Sequence, residues 1–258
     1  MKILFIGDVV GSGGCEILLK KLPELKKREN IDLTIVNGEN SADGNGIIPS
    51  SAENIFSAGA DVITGGNHTF RRREIYEKLD SDEYMVRPAN MPKTLPGAGL
   101  TYVDMGHTTV AVINLLGTVY MESADSPFFK ADELIAEAKK NGAEIILVDF
   151  HAEATSEKRA LGFYLDSRVT AVVGTHTHVQ TADEQILEGG TAYITDLGMT
   201  GTINSVLGIK KEIAIQKMRD KLPVRFQNET GKCRINGCIV EVDRNTKKAV
   251  SITRINTE

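Results

Sequence analysis

Cysteine, tryptophan and any excess of basic residues are what this 258-residue sequence lacks. It has no tryptophan and only three cysteines, Cys15, Cys233 and Cys238, an odd number without the paired spacing of a zinc site. A disulfide framework is therefore excluded, and a reducing compartment is expected. Lysine and arginine number 30 against 35 acidic residues, for a net charge of −5. Such a chain offers no basic field to a phosphate backbone, so we expect no dedicated nucleic-acid surface.

Long apolar runs are also missing. The N-terminal stretch MKILFIGDVV contains only a short apolar run, which ends at Gly7 and Asp8. A signal peptide requires a longer apolar core, and a membrane span requires about 20 apolar residues. We therefore interpret the run as a buried first strand, and we expect a cytoplasmic protein without a membrane partner.

What is present is an alternation of strand-like and helix-like segments. Runs rich in β-branched residues are KILFIGD, DLTIVNGEN, DVITGGNH, EIILVDFH and VTAVVGTHTH. Segments with helical spacing are 16–28, 51–58, 72–79, 131–140 and 156–165, and predicted hairpins are 100–116, 184–195 and 233–255. Because strands that are apolar throughout are covered on both faces, we predict an α/β fold. The predicted form is a two-sheet α/β sandwich with antiparallel edges, flanked by helices, in a single domain over residues 1–258.

Polar side chains cluster where the predicted strands end. In open α/β sheets, ligands bind beyond the carboxyl ends of the strands. Four of the five histidines occur there. The residues at these ends are Asp8, Glu39, Asn40, Asn67, His68, His151, His176 and His178. Carboxylate oxygen combined with imidazole nitrogen suits manganese, iron or zinc, so the sequence predicts a metal site.

His176 and His178 are separated by one residue. If the backbone is extended there, both imidazoles face the same side and converge on one site. They could then bind one ion together, or one ion each of a close pair. Gly11, Gly13 and Gly14 follow the first strand, but Glu16 breaks the dinucleotide-binding pattern. We expect these glycines to let the backbone pass close to the metals.

These motifs, in this order, resemble those of the calcineurin-like metallophosphoesterases. The resemblance is carried by GDVVG, NGEN, GGNH, a lone histidine and GTHTH over residues 8–178, and DLGMTG fits the same branch. Val10 stands where the superfamily commonly has a histidine ligand, and Gly38 is followed directly by Glu39 and Asn40. Both departures select the branch of YmdB-type phosphodiesterases, whose fold is a four-layer sandwich.

The resemblance implies two metal ions, iron or manganese by preference, with zinc as a third candidate. Carried over, the first site consists of Asp8, Glu39, Asn40 and His178, and the second of Glu39, Asn67, His151 and His176. A hydroxide between the two ions would attack phosphorus. His68 would be the catalytic residue that assists the leaving group. Its alternative role is a hydrogen bond that supports Asn67, and its own partner is open because Thr69 replaces the usual acidic residue.

The implied substrates are small phosphodiesters, with 2′,3′-cyclic nucleotides first and 3′,5′-cyclic AMP second. Two alternatives stay open. The same site could serve a phosphomonoesterase or protein phosphatase, or the chain could be a metal-bearing regulator that binds RNA or a protein and turns over little. A homo-oligomer is compatible with the sequence.

Overall fold

The computed structural model describes residues 1–43 and 45–258, and within them the chain forms fourteen strands and six α-helices. The strands are β1 Lys2–Ile6, β2 Asp8–Val9, β3 Leu33–Asn37, β4 Val62–Thr64, β5 Met85–Val86, β6 Leu100–Asp104, β7 Thr109–Leu116, β8 Ile145–His151, β9 Ala171–Thr175, β10 Gln185–Ile186, β11 Ala192–Ile194, β12 Met199–Thr202, β13 Cys233–Val242 and β14 Ala249–Thr257. The helices are α1 Gly11–Glu29, α2 Pro49–Ser57, α3 Tyr76–Ser81, α4 Pro127–Lys140, α5 Thr155–Leu165 and α6 Lys211–Asp220.

The strands form two sheets. In the first, the order is β2-β12-β13-β1-β3-β4-β5, with β14 paired to β13, and in the second it is β10-β11-β9-β8-β7-β6. Strands β1, β3, β4 and β5 are parallel, as are β7, β8, β9 and β11. At the two edges of the second sheet, β6 pairs antiparallel with β7 and β10 pairs antiparallel with β11, so the predicted antiparallel edges are present.

Apolar side chains form three core clusters, one between the two sheets and one between each sheet and the helices that cover it. Phe5 and Ile35 of the first sheet pack with Val112 and Leu147 of the second. Helices α1, α2 and α3 cover the outer face of the first sheet, and α4 and α5 cover that of the second. The predicted two-sheet, four-layer α/β sandwich is confirmed. It follows from strands that are buried on both faces, such as the fully buried β8.

Several local predictions can be compared with the observed elements. All three hairpins form, by pairing of β6 with β7, β10 with β11 and β13 with β14. Helix α1 begins at Gly11, so the glycines of GSGG lie in its first turn. A Cβ atom at Gly14 would lie 2.6 Å from the carbonyl oxygen of Thr200, and one at Gly13 would lie 3.0 Å from Sγ of Cys233. Gly13 and Gly14 therefore let α1 pack against β12 and β13. Of the three glycines predicted to let the backbone pass close to the metals, only Gly11 contacts the cluster, since its amide donates to the carbonyl of Asn40 over 2.9 Å.

The two sheets meet near the carboxyl ends of their parallel strands. Asn37, the last residue of β3, donates from Nδ2 to Oδ2 of Asp149 in β8 over 3.1 Å. The loops that follow β1, β3, β4, β8 and β9 therefore converge at one edge of the sandwich. Among the described residues, no helix is both long enough and apolar enough to span a lipid bilayer.

Candidate metal centre

The converging loops bring the predicted polar residues into one cluster. Asp8, Glu39 and His151 are buried at its floor, with 0%, 1% and 0% of their surfaces exposed. The side chains of His68, His176 and His178 are 28%, 20% and 13% exposed and form the rim. The cluster therefore has an anionic, buried floor and an accessible ring of imidazoles.

One half of the cluster surrounds His151. Its Nε2 lies 2.9 Å from Oδ1 of Asn67, 3.0 Å from Nδ1 of His176 and 3.4 Å from Oε1 of Glu39. Ligand atoms of Glu39, His151 and His176 all lie within 4.8 Å of one another. This half contains the four residues that the resemblance assigns to the second ion.

The other half surrounds Asn40. Its Nδ2 lies 2.7 Å from Oε1 of Glu39 and 3.2 Å from Nε2 of His178, and that Nε2 lies 3.9 Å from Oδ1 of Asp8. These are the four residues that the resemblance assigns to the first ion. Glu39 belongs to both halves, and both contacts are made by its Oε1.

His176 and His178 reach different halves of the cluster because the backbone between them is not extended. Their φ angles are 108° and 63°, in the left-handed region. The expectation of an extended His-x-His segment is therefore wrong, although both rings do face the cluster. The His176 amide donates to Oδ2 of Asp8 over 3.1 Å, and the Thr177 amide donates to Oδ2 of Asp196 over 3.0 Å. These bonds hold a conformation that non-glycine residues rarely adopt.

Three features of the cluster fit bound cations. Oδ1 of Asp8 is buried and has no hydrogen-bond partner among the described residues. A buried, unpartnered carboxylate oxygen is costly unless a cation satisfies it. Gly66 leaves space in the second half, since a Cβ atom there would lie 2.3 Å from Oε2 of Glu39 and 2.5 Å from Nε2 of His151. The third feature is the orientation of the His151 ring.

A chain of hydrogen bonds sets the protonation of that ring. Burial raises the pKa of Asp149 to about 6, so at neutral pH this carboxylate only accepts hydrogen bonds. The Thr175 hydroxyl donates to Oδ1 of Asp149 over 2.7 Å, and it can then only accept from Nδ1 of His151, which lies 2.9 Å away. Nδ1 of His151 therefore carries the proton, and the lone pair of Nε2 faces the cluster, as a metal ligand requires.

The charges of the cluster favour a positive occupant. Burial alone would lower the pKa of His151, but the negative charge of Glu39 raises it to about 9. Burial lowers the pKa of His176 to about 3, and the charge of His151 adds to this effect. Burial opposes ionisation of Glu39, yet His151 and His68 hold its pKa well below the usual value. Without metal, His151 is therefore protonated at Nε2 as well as at Nδ1, and a cation must displace the Nε2 proton.

His68 lies beside Asn40 and Glu39. Its Nδ1 is 2.9 Å from Oδ1 of Asn40 and 3.2 Å from Oε1 of Glu39, and its amide donates to Oε2 of Glu39 over 2.7 Å. These contacts answer the open question of what orients the imidazole. Thr69 instead donates to and accepts from the backbone of Gly66. The alternative role of His68 as a hydrogen-bond support for Asn67 finds no such bond among the described residues.

Sequence reasoning missed the residues that support the cluster. Nε2 of His176 lies 3.0 Å from Oε2 of Glu153, and Asp149 and Asp196 hold the ligand-bearing segments through the bonds described above. Alternation along β8 could have indicated Asp149, which is two residues before His151 and so shares its face of the strand. Nothing in the local sequence indicates Asp196, because its contact with Thr177 forms only in the folded chain.

Carboxylates, carboxamides and imidazoles at the joint edge of two sheets, in a four-layer sandwich, are the features of the metallophosphoesterase fold. The fold is shared with a 5′-nucleotidase precursor from Thermus thermophilus, at a TM-score of 0.59 and 13% identity, covering 100% of this chain and 54% of that one. A family model described as "YmdB-like protein" matches residues 4–255. The chain belongs to this family.

Two relatives are similar over nearly their whole length. A protein of Bacillus subtilis (strain 168) named "2′,3′-cyclic-nucleotide 2′-phosphodiesterase" is 51% identical over 255 residues, which cover 99% of this chain and 96% of the relative. A crystal structure described as a novel phosphatase from Mycoplasma pneumoniae is 36% identical, with a TM-score of 0.93, covering 99% of this chain and 92% of that one. The chain is accordingly a hydrolase, and its metallophosphoesterase fold implies divalent metal ions.

Proposed function

We propose that the protein is a dinuclear metal-dependent phosphodiesterase that hydrolyses 2′,3′-cyclic nucleotides. The observation that carries this proposal is the position of Glu39 between two groups of ligand atoms. Its Oε1 lies 2.7 Å from Asn40 Nδ2 on one side and 3.4 Å from His151 Nε2 on the other. A carboxylate in that position is suited to bridge two ions. The Bacillus subtilis relative supports the choice of substrate by its name.

Each residue of the cluster has a distinct task in this proposal. Asp8, Asn40 and His178 would hold one ion, Asn67, His151 and His176 the other, and Glu39 both. Two such ions supply a phosphate clamp and an activated water, with iron or manganese preferred and zinc a third candidate. The amide oxygen and nitrogen of Asn40 are interchangeable by rotation, so its oxygen can face the ion.

His68 would assist the leaving group. Its Nδ1 is occupied by Asn40 and Glu39, whereas Nε2 has no partner among the described residues and the side chain is 28% exposed. An imidazole held at one nitrogen presents the other in a fixed direction. When the ring is protonated at both nitrogens, Nδ1–H donates to Oε1 of Glu39, and the Nε2 proton would pass to the departing oxygen and leave a neutral imidazole. The name of the Bacillus subtilis relative indicates that this is the 2′ oxygen of a 2′,3′-cyclic nucleotide. A 3′-nucleotide is then the product.

The competing functions differ in substrate. A phosphomonoesterase or protein phosphatase would use the same cluster, and the Mycoplasma pneumoniae relative is described as a phosphatase. A regulator with little turnover needs no general acid, so the arrangement of His68 favours an enzyme. A cytoplasmic location, a single domain and a homo-oligomeric state stay predictions.

One preparation tests the proposal. Purified protein loaded with Mn²⁺ or Fe²⁺ is assayed for metal content and for turnover of 2′,3′-cyclic AMP, 3′,5′-cyclic AMP, bis(p-nitrophenyl) phosphate and p-nitrophenyl phosphate. We expect the highest kcat/KM on the 2′,3′-cyclic nucleotide and a 3′-nucleotide product. Faster release of phosphate from the monoester would favour the phosphatase, and metal-loaded protein inactive on all four would favour the regulator. Glu39→Gln should lose both metal and turnover, whereas the exposed Glu137→Gln, its matched control, should lose neither.

A further inference from the structure

A cleft of about 380 Å³ opens onto the metal-binding cluster and has two kinds of lining. One part consists of polar groups of the cluster, including Glu39, Asn40 and His68. The other part is mainly apolar: Ala214 and Lys217 of α6 border it, and its five large apolar side chains are Val206, Leu207, Ile209, Met218 and Phe226. We call these five side chains the apolar wall. The cleft thus joins a site for charged phosphate to a surface for an apolar group.

The apolar wall exposes side chains that a core would normally bury. Leu207, Met218 and Phe226 are 47%, 65% and 53% exposed. They come from the segment between β12 and β13, which includes α6. Scattered exposed hydrophobics are ordinary, but several together beside an active site indicate a ligand or partner surface.

Hydrogen bonds hold the wall in place next to the cluster. The backbones of Val206 and Ile209 bond each other in both directions, over 2.9 and 3.0 Å. The amide of Lys210 donates to the carbonyl of Gln227, next to Phe226, over 3.0 Å. Nδ1 of His178 lies 3.2 Å from the carbonyl oxygen of Leu207, which ties the wall to a proposed metal ligand. Because the backbone is held in this way, binding orders only the side chains of the wall, which lowers the entropic cost.

We infer that the apolar wall is the nucleobase subsite, in which Phe226 stacks on the base of the substrate. This inference rests on the proposed function, because it names the surface that binds the base of the proposed 2′,3′-cyclic nucleotide substrate. A cyclic nucleotide has the same division as the cleft, with an anionic phosphate at one end and a flat base with apolar faces at the other. The cleft also has the size of an ordinary small-molecule site.

The chemistry of the wall also defines its selectivity. The side chains of Val206, Leu207 and Phe226 carry no hydrogen-bonding atoms, so they contact base faces and cannot read base edges. Stacking tolerates every base because each has a π-face. The wall itself should therefore favour substrates that carry a base over those that do not, and it should contribute little to discrimination among the four bases.

The kinetic test uses a substrate that keeps the cyclic phosphate but lacks the base and the ribose ring. Glycerol 1,2-cyclic phosphate presents the same five-membered cyclic diester as 2′,3′-cyclic AMP. Phe226→Ala should lower kcat/KM for 2′,3′-cyclic AMP by about tenfold to a hundredfold, mainly through KM, because stacking on an aromatic ring contributes about that much. It should leave the rate on glycerol cyclic phosphate within about twofold. Phe129→Ala, at an exposed phenylalanine of α4, is the matched control. Equal losses on both substrates, or no loss on the nucleotide, would overturn the inference.

A binding test separates this inference from the proposed function. Because the chain has no tryptophan, Phe226→Trp introduces the only indole. Titration of metal-loaded Phe226→Trp with 3′-AMP should quench its fluorescence, whereas glycerol phosphate should not, and Phe129→Trp should respond to neither. Quenching without any turnover would support the wall and refute the phosphodiesterase. Turnover without quenching would refute the wall alone. A third outcome is that the protein is a dimer, that the dimer shields the new indole from solvent, and that Phe226→Ala dissociates it. That outcome would assign the wall to contact with a second copy of the chain and would refute the subsite.

Discussion

Nζ of Lys158 in α5 lies 2.6 Å from Oδ2 of Asp196, and both side chains are buried, with 1% and 0% exposed. Asp196 accepts hydrogen bonds from the Thr177 amide at Oδ2 and from the Gly198 amide at Oδ1. Thr177 is the residue between His176 and His178. The buried ion pair therefore anchors the loop that carries two of the proposed ligands.

Loss of this pair should damage both stability and metal binding. Lys158→Met leaves the buried carboxylate of Asp196 without its cation, which typically costs about 3–5 kcal/mol. We expect a lower free energy of unfolding and weaker metal retention, measured by urea denaturation and by elemental analysis. Lys78→Met, which breaks a more exposed pair with Asp82, should cost no more than about 1 kcal/mol. Similar costs for both variants would show that the buried pair is not the anchor.

The hydrogen-bond chain behind His151 gives a second prediction. Thr175→Val removes the acceptor of Nδ1–H and should lower metal affinity by about tenfold to a hundredfold while the fold is retained. Thr64→Val is the matched control, since Thr64 donates to the same Asp149 over 2.5 Å but does not contact His151. Both affinities can be measured by competition with a chelator. Equal effects of the two changes would locate the loss in Asp149 and not in the orientation of His151.

Metal affinity should depend on pH because a proton occupies the site in its absence. The negative charge of Glu39, opposing the effect of burial, raises the pKa of His151 to about 9, so the metal-free protein is protonated there below that pH. Below about pH 9, each decrease of one pH unit should therefore lower the apparent affinity for the metal by about tenfold, because the proton competes for His151. Affinity for Mn²⁺ should rise between about pH 6.5 and about pH 8.5, with release of about one proton on binding. Calorimetry in two buffers of different ionisation enthalpy measures that proton. Constant affinity over this range would contradict the assigned protonation.

The role of His68 can be separated from those of the ligands by the choice of leaving group. His68→Ala should keep both ions, and it should reduce turnover of a cyclic nucleotide by about 10²–10⁴-fold, the usual contribution of general acid catalysis. The loss should be much smaller on bis(p-nitrophenyl) phosphate, because nitrophenolate departs without protonation. Equal losses with full metal content would leave stabilisation of the transition-state charge as the better account. Loss of metal would make His68 a support for Asn40.

The sequence was sufficient to predict the layer architecture and the residues of the cluster. It was not sufficient to predict the backbone conformation and the supporting contacts that hold the cluster in place. Apolar runs such as β3 and β8 end in polar residues, so parallel strand ends predict a common site. The conformation of His176 and His178 was predicted wrongly, because left-handed backbone at two histidines depends on Asp8 and Asp196, far away in sequence. Gly13 and Gly14 were misinterpreted for a similar reason, since their neighbours Cys233 and Thr200 are brought near only by folding.

The central claim is that Glu39 bridges two ions, and the most direct test is metal stoichiometry by elemental analysis. The protein should retain about two ions per chain, Asp8→Asn about one, and Glu39→Gln close to none, because only Glu39 belongs to both groups of ligand atoms. Glu137→Gln should match the unaltered protein. Equal stoichiometry in Asp8→Asn and Glu39→Gln would contradict the bridge and, with it, the proposed dinuclear site.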